Sequence, residues 1–165
     1  MAKRNEFVFT RVFGAPRKLV FKAWGEAARL AQWWGPKGSD IDIKKLEFRP
    51  GGIFHYSMSF GEQKMWGKFV YREIIEPERI VFISSFADED GNVIQSPMLH
   101  PWPLEILNTV TFTENDGKTT LSLRGGPINA TEEEYSKFEE MQKSMELGFG
   151  GTFDQLAEYL QKIND

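Results

Sequence analysis

The chain contains no cysteine, which excludes a disulfide framework and every thiolate metal site. Histidine is nearly as scarce: His55 and His100 are the two present, and neither has a carboxylate at ligand spacing, so no metal and no cofactor is expected. Positive charge is also short, with 20 Lys and Arg against 24 Asp and Glu for a net charge of -4. The cations are scattered and form no stripe that could neutralise phosphates, so nucleic acid is not an expected partner. No run approaches the roughly 20 apolar residues of a membrane span, and the opening MAKRNEFVFTRVF alternates where a signal peptide would run apolar. A cytoplasmic protein is expected. Glycines 148, 150 and 151 do not follow a strand, so there is no phosphate-cradling loop. Asp88-Glu89-Asp90-Gly91-Asn92 misplaces the glycine of a calcium loop and omits its bidentate glutamate, and reads as a solvated turn.

What is present is apolar and aromatic. Of 165 residues, 41% are hydrophobic and 14% aromatic, enough to build the core of one domain spanning 1–165. Residues 7–13 alternate as a strand. Ala15-Pro16 opens a helix with Leu19, Val20, Ala23 and Trp24 on one side, ended by Gly25. A second short helix carries Ala27, Leu30 and Trp33, and Gly35-Pro36 stops it. Six strands marked off by turns follow: Ile41 to Leu46, Phe54 to Phe60, Trp66 to Ile74, Val81 to Phe86, Ile106 to Thr113 and Thr119 to Leu123. Consecutive hairpins imply an antiparallel sheet. In the second of these six, Phe54, Tyr56, Met58 and Phe60 form one face, which places His55 on the solvent side.

Residues 87–104 are too rich in Pro, Gly and Asp for regular structure, yet carry Met98, Leu99 and Trp102. The chain closes on a long amphipathic helix. Thr131 and Glu134 form a capping box, and Tyr135, Phe138, Met141, Met145, Phe149, Phe153, Leu156 and Leu160 recur at three and four. Gly148, Gly150 and Gly151 interrupt it, each unfavourable by about 1 kcal/mol relative to alanine. Close approach of the helix to the sheet, or a local bend, is the expected reason.

The stretches TRVFGAPRKLVFKAW, LAQWWGPKG, FRPGG, EIIEPERIVF and GFGGTFDQLAEYL together resemble the START-like (SRPBCC) helix-grip superfamily, in particular the C-terminal domain of the activator of heat-shock-protein-ninety ATPase. The resemblance implies an α+β fold: a curved antiparallel sheet of six or seven strands around a long C-terminal helix, with two short helices after the first strand. Many relatives have Gly-Trp where this chain has Gly148-Phe149. Such folds serve ligand carriers, cyclases and chaperone partners alike.

The residues point first to a small apolar or amphipathic ligand. Phe54, Tyr56, Met58, Phe69, Phe82 and Phe86 share a sheet face, with Ser84 among them, opposite Met141, Met145 and Phe149 on the helix. Methionine and aromatic residues with few polar atoms are the usual walls of a small-molecule cavity. Trp33, Trp34, Met98 and Trp102 would form its rim, unless the tryptophan pair simply packs a helix end. Ser84 and Ser85 have no nucleophile elbow and neither histidine has an orienting acid, so no triad is expected. A cofactor-free cyclase using Tyr56, Ser84 and His100 as donors, and a surface module for a chaperone or other protein partner, are the alternatives.

Overall fold

A computed structural model describes residues 6–163. The reading of the chain's basic start falls partly on residues 1–5, outside the described residues. Strand β1 (Phe7–Phe13) leads into helices α1 (Arg17–Gly25) and α2 (Ala27–Trp33), and then come β2 (Asp40–Leu46), β3 (Ile53–Phe60), β4 (Gln63–Ile75), β5 (Arg79–Ala87), β6 (Ile106–Asn115) and β7 (Lys118–Pro127). Helices α3 (Glu132–Glu140) and α4 (Gln142–Ile163) complete it. The seven strands form one antiparallel sheet in the order β1-β7-β6-β5-β4-β3-β2. Every neighbour pair except β1 with β7 is a hairpin or near neighbour in sequence, which is why the turn signals sufficed to order them. Asp116 and Gly117 both take positive φ, 54° and 75°, the geometry of a two-residue hairpin turn matched to the twist of its strands. Register shifts at Ile43/Lys45 and at Tyr71/Glu73 bend the sheet.

The concave face carries the core. Phe54, Phe69 and Phe82 from three adjacent strands are buried, and the Phe69 and Phe82 rings stack with centroids 4.0 Å apart. Helices α1 and α2 add Trp24 and Trp33, whose rings meet edge to face at 5.0 Å. Helix α4 closes this end with Phe153, Leu156 and Leu160, all buried.

Two expectations about the terminal helix need correction. The terminal helix does not run unbroken from Thr131. The capping box is present, with Glu134 N–H donating to Thr131 Oγ1 at 3.1 Å and Thr131 N–H to Glu134 Oε1 at 2.9 Å. Met141, at φ -90° and ψ 1°, then separates α3 from α4. Nor do the glycines mark a close approach: a Cβ at Gly148 or Gly150 would meet nothing within 4 Å, and one at Gly151 only Lys37 Cγ at 3.9 Å. They lie where the helix leaves the core, so no contact demanded a small residue.

His55 does not face solvent. It is 5% exposed, because residues 88–92 fold over the convex face of β3 and β4. Its Nε2 lies 2.9 Å from the Asp88 carbonyl oxygen, while Lys68 and Lys44 donate to the carbonyls of Gly91 and Glu89 at 2.9 and 2.6 Å. The acidic segment is therefore a turn docked on the sheet. Asp88 Oδ1 accepts from the N–H groups of Asp90 and Asn92, and these bonds hold its carboxyl below the usual carboxylate range.

Candidate functional site

Beyond the Ser84–Ile106 pair, β5 continues to Ala87 without β6 beside it. The segment leading to β6 brings Trp102 and Pro103 over this gap, and α3 holds Trp102 there, its ring 5.7 Å from that of Phe138. The result is a pocket of about 160 Å³. Five expected residues line it: Tyr56, Met58, Ser84, Phe86 and Trp102. Five others were not anticipated, namely Trp66, Gly67, Ser85, Pro103 and Ile106.

The remaining expected residues lie elsewhere. Phe54, Phe69 and Phe82 form the core floor behind the pocket. Trp33 is 1% exposed, donates its indole N–H to the Ala23 carbonyl at 3.0 Å and stacks on Phe153. It packs the helix end and is not a rim residue. Trp34 is half-buried and meets Tyr56 and Phe69 edge to face, at 6.2 and 5.4 Å, so it buttresses a pocket wall from behind. Met98 and His100 are exposed and stand outside the pocket. Met141, Met145 and Phe149 are half-buried against the core. Phe149 stacks on Phe7 of β1 at 5.5 Å, at the other edge of the sheet from Tyr56.

Gly67 is what admits Tyr56. The two residues pair across β3 and β4, and a Cβ at Gly67 would lie 2.5 Å from the Tyr56 hydroxyl oxygen. Gly125 does the same for Asn108, whose Oδ1 a Cβ there would meet at 2.7 Å. Asn108 escaped the sequence reading altogether. It is buried on the concave face of β6, and its Nδ2 donates to Ser84 Oγ at 2.9 Å and to the Ile106 carbonyl at 3.1 Å. A glycine inside a strand signals a close approach of this kind, and Gly67 and Gly125 were the available signals.

Electrostatically the pocket is neutral. Tyr56 is the one titratable side chain in its wall. Burial pushes its hydroxyl up to about 12, with the Trp34 indole N–H offsetting part of the rise. That N–H falls short of full hydrogen-bond geometry and stands with Trp24 Nε1 and Ser57 Oγ as a buried polar atom without a partner among the described residues. Near neutral pH Tyr56 is thus a hydroxyl donor and no base. Among the described residues no three His, Asp or Glu side chains are grouped to hold a metal ion, and no helix is long and apolar enough to cross a membrane.

Comparison with known proteins gives the same architecture. The family described as Activator of Hsp90 ATPase homolog 1-like protein matches residues 14–161. The chain belongs to that family. Among solved structures it is similar to protein Ms6760 from Mycobacterium smegmatis, at 26% identity over 94% of this chain and 90% of that one, with a TM-score of 0.76. A Staphylococcus epidermidis protein matches at 25% identity, over 98% of this chain and 93% of that one, with a TM-score of 0.79. A protein from Arthrobacter aurescens is 26% identical over 95% of this chain and 86% of that one, at a TM-score of 0.78. Among curated proteins none matches. The helix-grip fold that the sequence motifs implied is therefore the fold of the chain.

Proposed function

We propose that the protein holds a small apolar or amphipathic molecule in the pocket between Tyr56, Ser84, Phe86 and Trp102. The observation that carries this is the composition of the wall: aromatic and aliphatic side chains, hydroxyls from Tyr56 and Ser84, and no ionised group. An apolar cavity of about 150 Å³ is enough to bind benzene, and this one is about 160 Å³, so it takes a single ring or a short chain. Retention is favoured over conversion, because a cyclase would need a base near the reacting atoms and Tyr56 stays protonated. Native mass spectrometry of the purified protein tests the proposal. A retained small molecule, released on denaturation, is the expected result. The bare chain mass in every preparation, with no saturable uptake of benzene or toluene, would overturn it.

A protein partner is the second reading. The family description names a chaperone ATPase activator, and Leu147 and Met98 are the most exposed large apolar side chains among the described residues, at 75% and 63%. Loss of a co-purifying partner on Leu147→Glu, with ligand uptake unchanged, would favour it.

A further inference from the structure

The polar atoms of the pocket are arranged with a direction. Asn108 spends both amide hydrogens inside the protein, one on the Ile106 carbonyl at 3.1 Å and one on Ser84 Oγ at 2.9 Å. The carbonyl contact fixes which end of the amide is nitrogen, since a carbonyl oxygen can only accept. Ser84 Oγ therefore accepts from behind, and its own hydrogen is left to point elsewhere. Ser84 is half-buried and lines the pocket, so the open direction is the cavity. Burial of Asn108, 7% exposed, and the seat that Gly125 leaves for its Oδ1 keep the amide from turning away. Across the same pocket the Tyr56 hydroxyl also keeps its hydrogen. The pocket thus offers hydroxyl donors between aromatic walls.

We propose that the ligand is an aromatic molecule bearing an acceptor oxygen, an aryl ketone or aldehyde in class, with its ring against Phe86 and Trp102 and its oxygen on the Ser84 hydroxyl, which Asn108 orients. This rests on the pocket being a ligand site at all. A carbonyl oxygen accepts and has nothing to donate, so it matches a wall that donates. Ligands whose polar group can only donate, such as an indole N–H or an ammonium, leave the Ser84 hydrogen unpaired on binding, at the loss an unmade hydrogen bond incurs. Asn108 is here a positioning residue; Ser84 touches the ligand.

Acetophenone and ethylbenzene separate the two levels of the argument, because they share ring and size and differ in the oxygen. Binding is followed by tryptophan fluorescence and by amide shifts in the NMR spectrum. The folded protein is expected to bind acetophenone about three- to tenfold more tightly than ethylbenzene, the range one net hydrogen bond supports. Ser84→Ala should abolish the preference, so that the two probes bind alike. Asn108→Asp should abolish it too although the serine remains, because a carboxylate captures the serine hydrogen; a merely structural role for Asn108 would shift both probes together. Equal binding of the two probes to the parent protein, or a preference that survives Ser84→Ala, overturns the inference while the pocket stands. Failure of both probes to bind overturns the inference and the ligand-site reading with it.

Discussion

The two halves of α4 are built to different standards. From Thr152 onward the helix is fastened: Thr152, Phe153, Leu156 and Leu160 are buried, and polar side chains tie it to the end of α2. Gln155 Nε2 donates to the carbonyls of Trp33 and Gly35 at 3.1 and 2.7 Å, and Thr152 Oγ1 reaches the Gly35 carbonyl at 3.1 Å. The Trp33 carbonyl lies in the last turn of α2, where it has no intrahelical partner, and the Gly35 carbonyl follows just beyond the helix. Arg11 on β1 adds an ion pair to Asp154 at 2.6 Å, holding that carboxyl below its usual range, with Lys37 a second partner at 3.4 Å. From Gln142 to Gly151 no residue is fully buried, and Leu147 points outward. The lesson is that the amphipathic stripe marks contact, while depth of contact depends on what the other layer supplies. The fastened half meets α1 and α2, and the other half rests half-buried on the edge strand β1 and the margin of the core.

The largest effect that could break this contrast is at Phe153. Truncation by Phe153→Ala should destabilise the fold by about 3–5 kcal/mol, and Phe149→Ala by about half as much, since Phe149 is half-buried. Chemical denaturation of both variants measures it, and equal losses would erase the distinction between the halves.

Next comes the alkaline limit. Tyr56 ionises near 10 when unfolded and is raised to about 12 by burial, and Tyr71 is raised by the same cause. A raised folded value means the contribution is complete below pH 10 and is lost as pH climbs toward 12. Stability should fall across that interval, by on the order of 2 kcal/mol for Tyr56, and Tyr56→Phe should flatten the fall. Melting temperatures measured across that interval for both proteins decide it.

Gln155→Leu should cost about 1–2 kcal/mol by orphaning the Trp33 carbonyl, while the Gly35 carbonyl keeps Thr152 Oγ1. The smallest effect has the opposite sign. With open space at Gly148 and Gly150, alanine at either should stabilise by up to about 1 kcal/mol. A loss there would show that the loose half of α4 needs its glycines for a reason outside packing.

Much of the fold could be read from the sequence because its signals are local. Strand alternation, the Asn115-Asp116-Gly117 turn, the capping box at Thr131 and the Gly35-Pro36 stop each act within a few residues. The site was legible only in part. Tyr56, Met58, Ser84 and Phe86 alternate on their strands and so could be assigned a face, whereas Asn108 lies between Leu107 and Thr109 in a pattern that gives a polar residue no reason to be buried. Its burial follows from Ser84, 24 residues away, and from Gly125 across β7. His55 failed for the same kind of reason: alternation gives the face correctly, but the segment that covers that face arrives from residues 88–92. Trp33 and Trp34 sit side by side and do different work, one filling the core and one backing Tyr56, because consecutive residues at a helix end point in different directions.

The most direct test of the account is an NMR titration of the parent protein and of Ser84→Phe, which places a ring in the pocket, with acetophenone. Saturable shifts are expected in the parent at Ser84, Phe86 and Trp102, and none at those positions in a variant that still melts cooperatively. Shifts that fail to saturate in the parent, or that persist unchanged in Ser84→Phe, would contradict it.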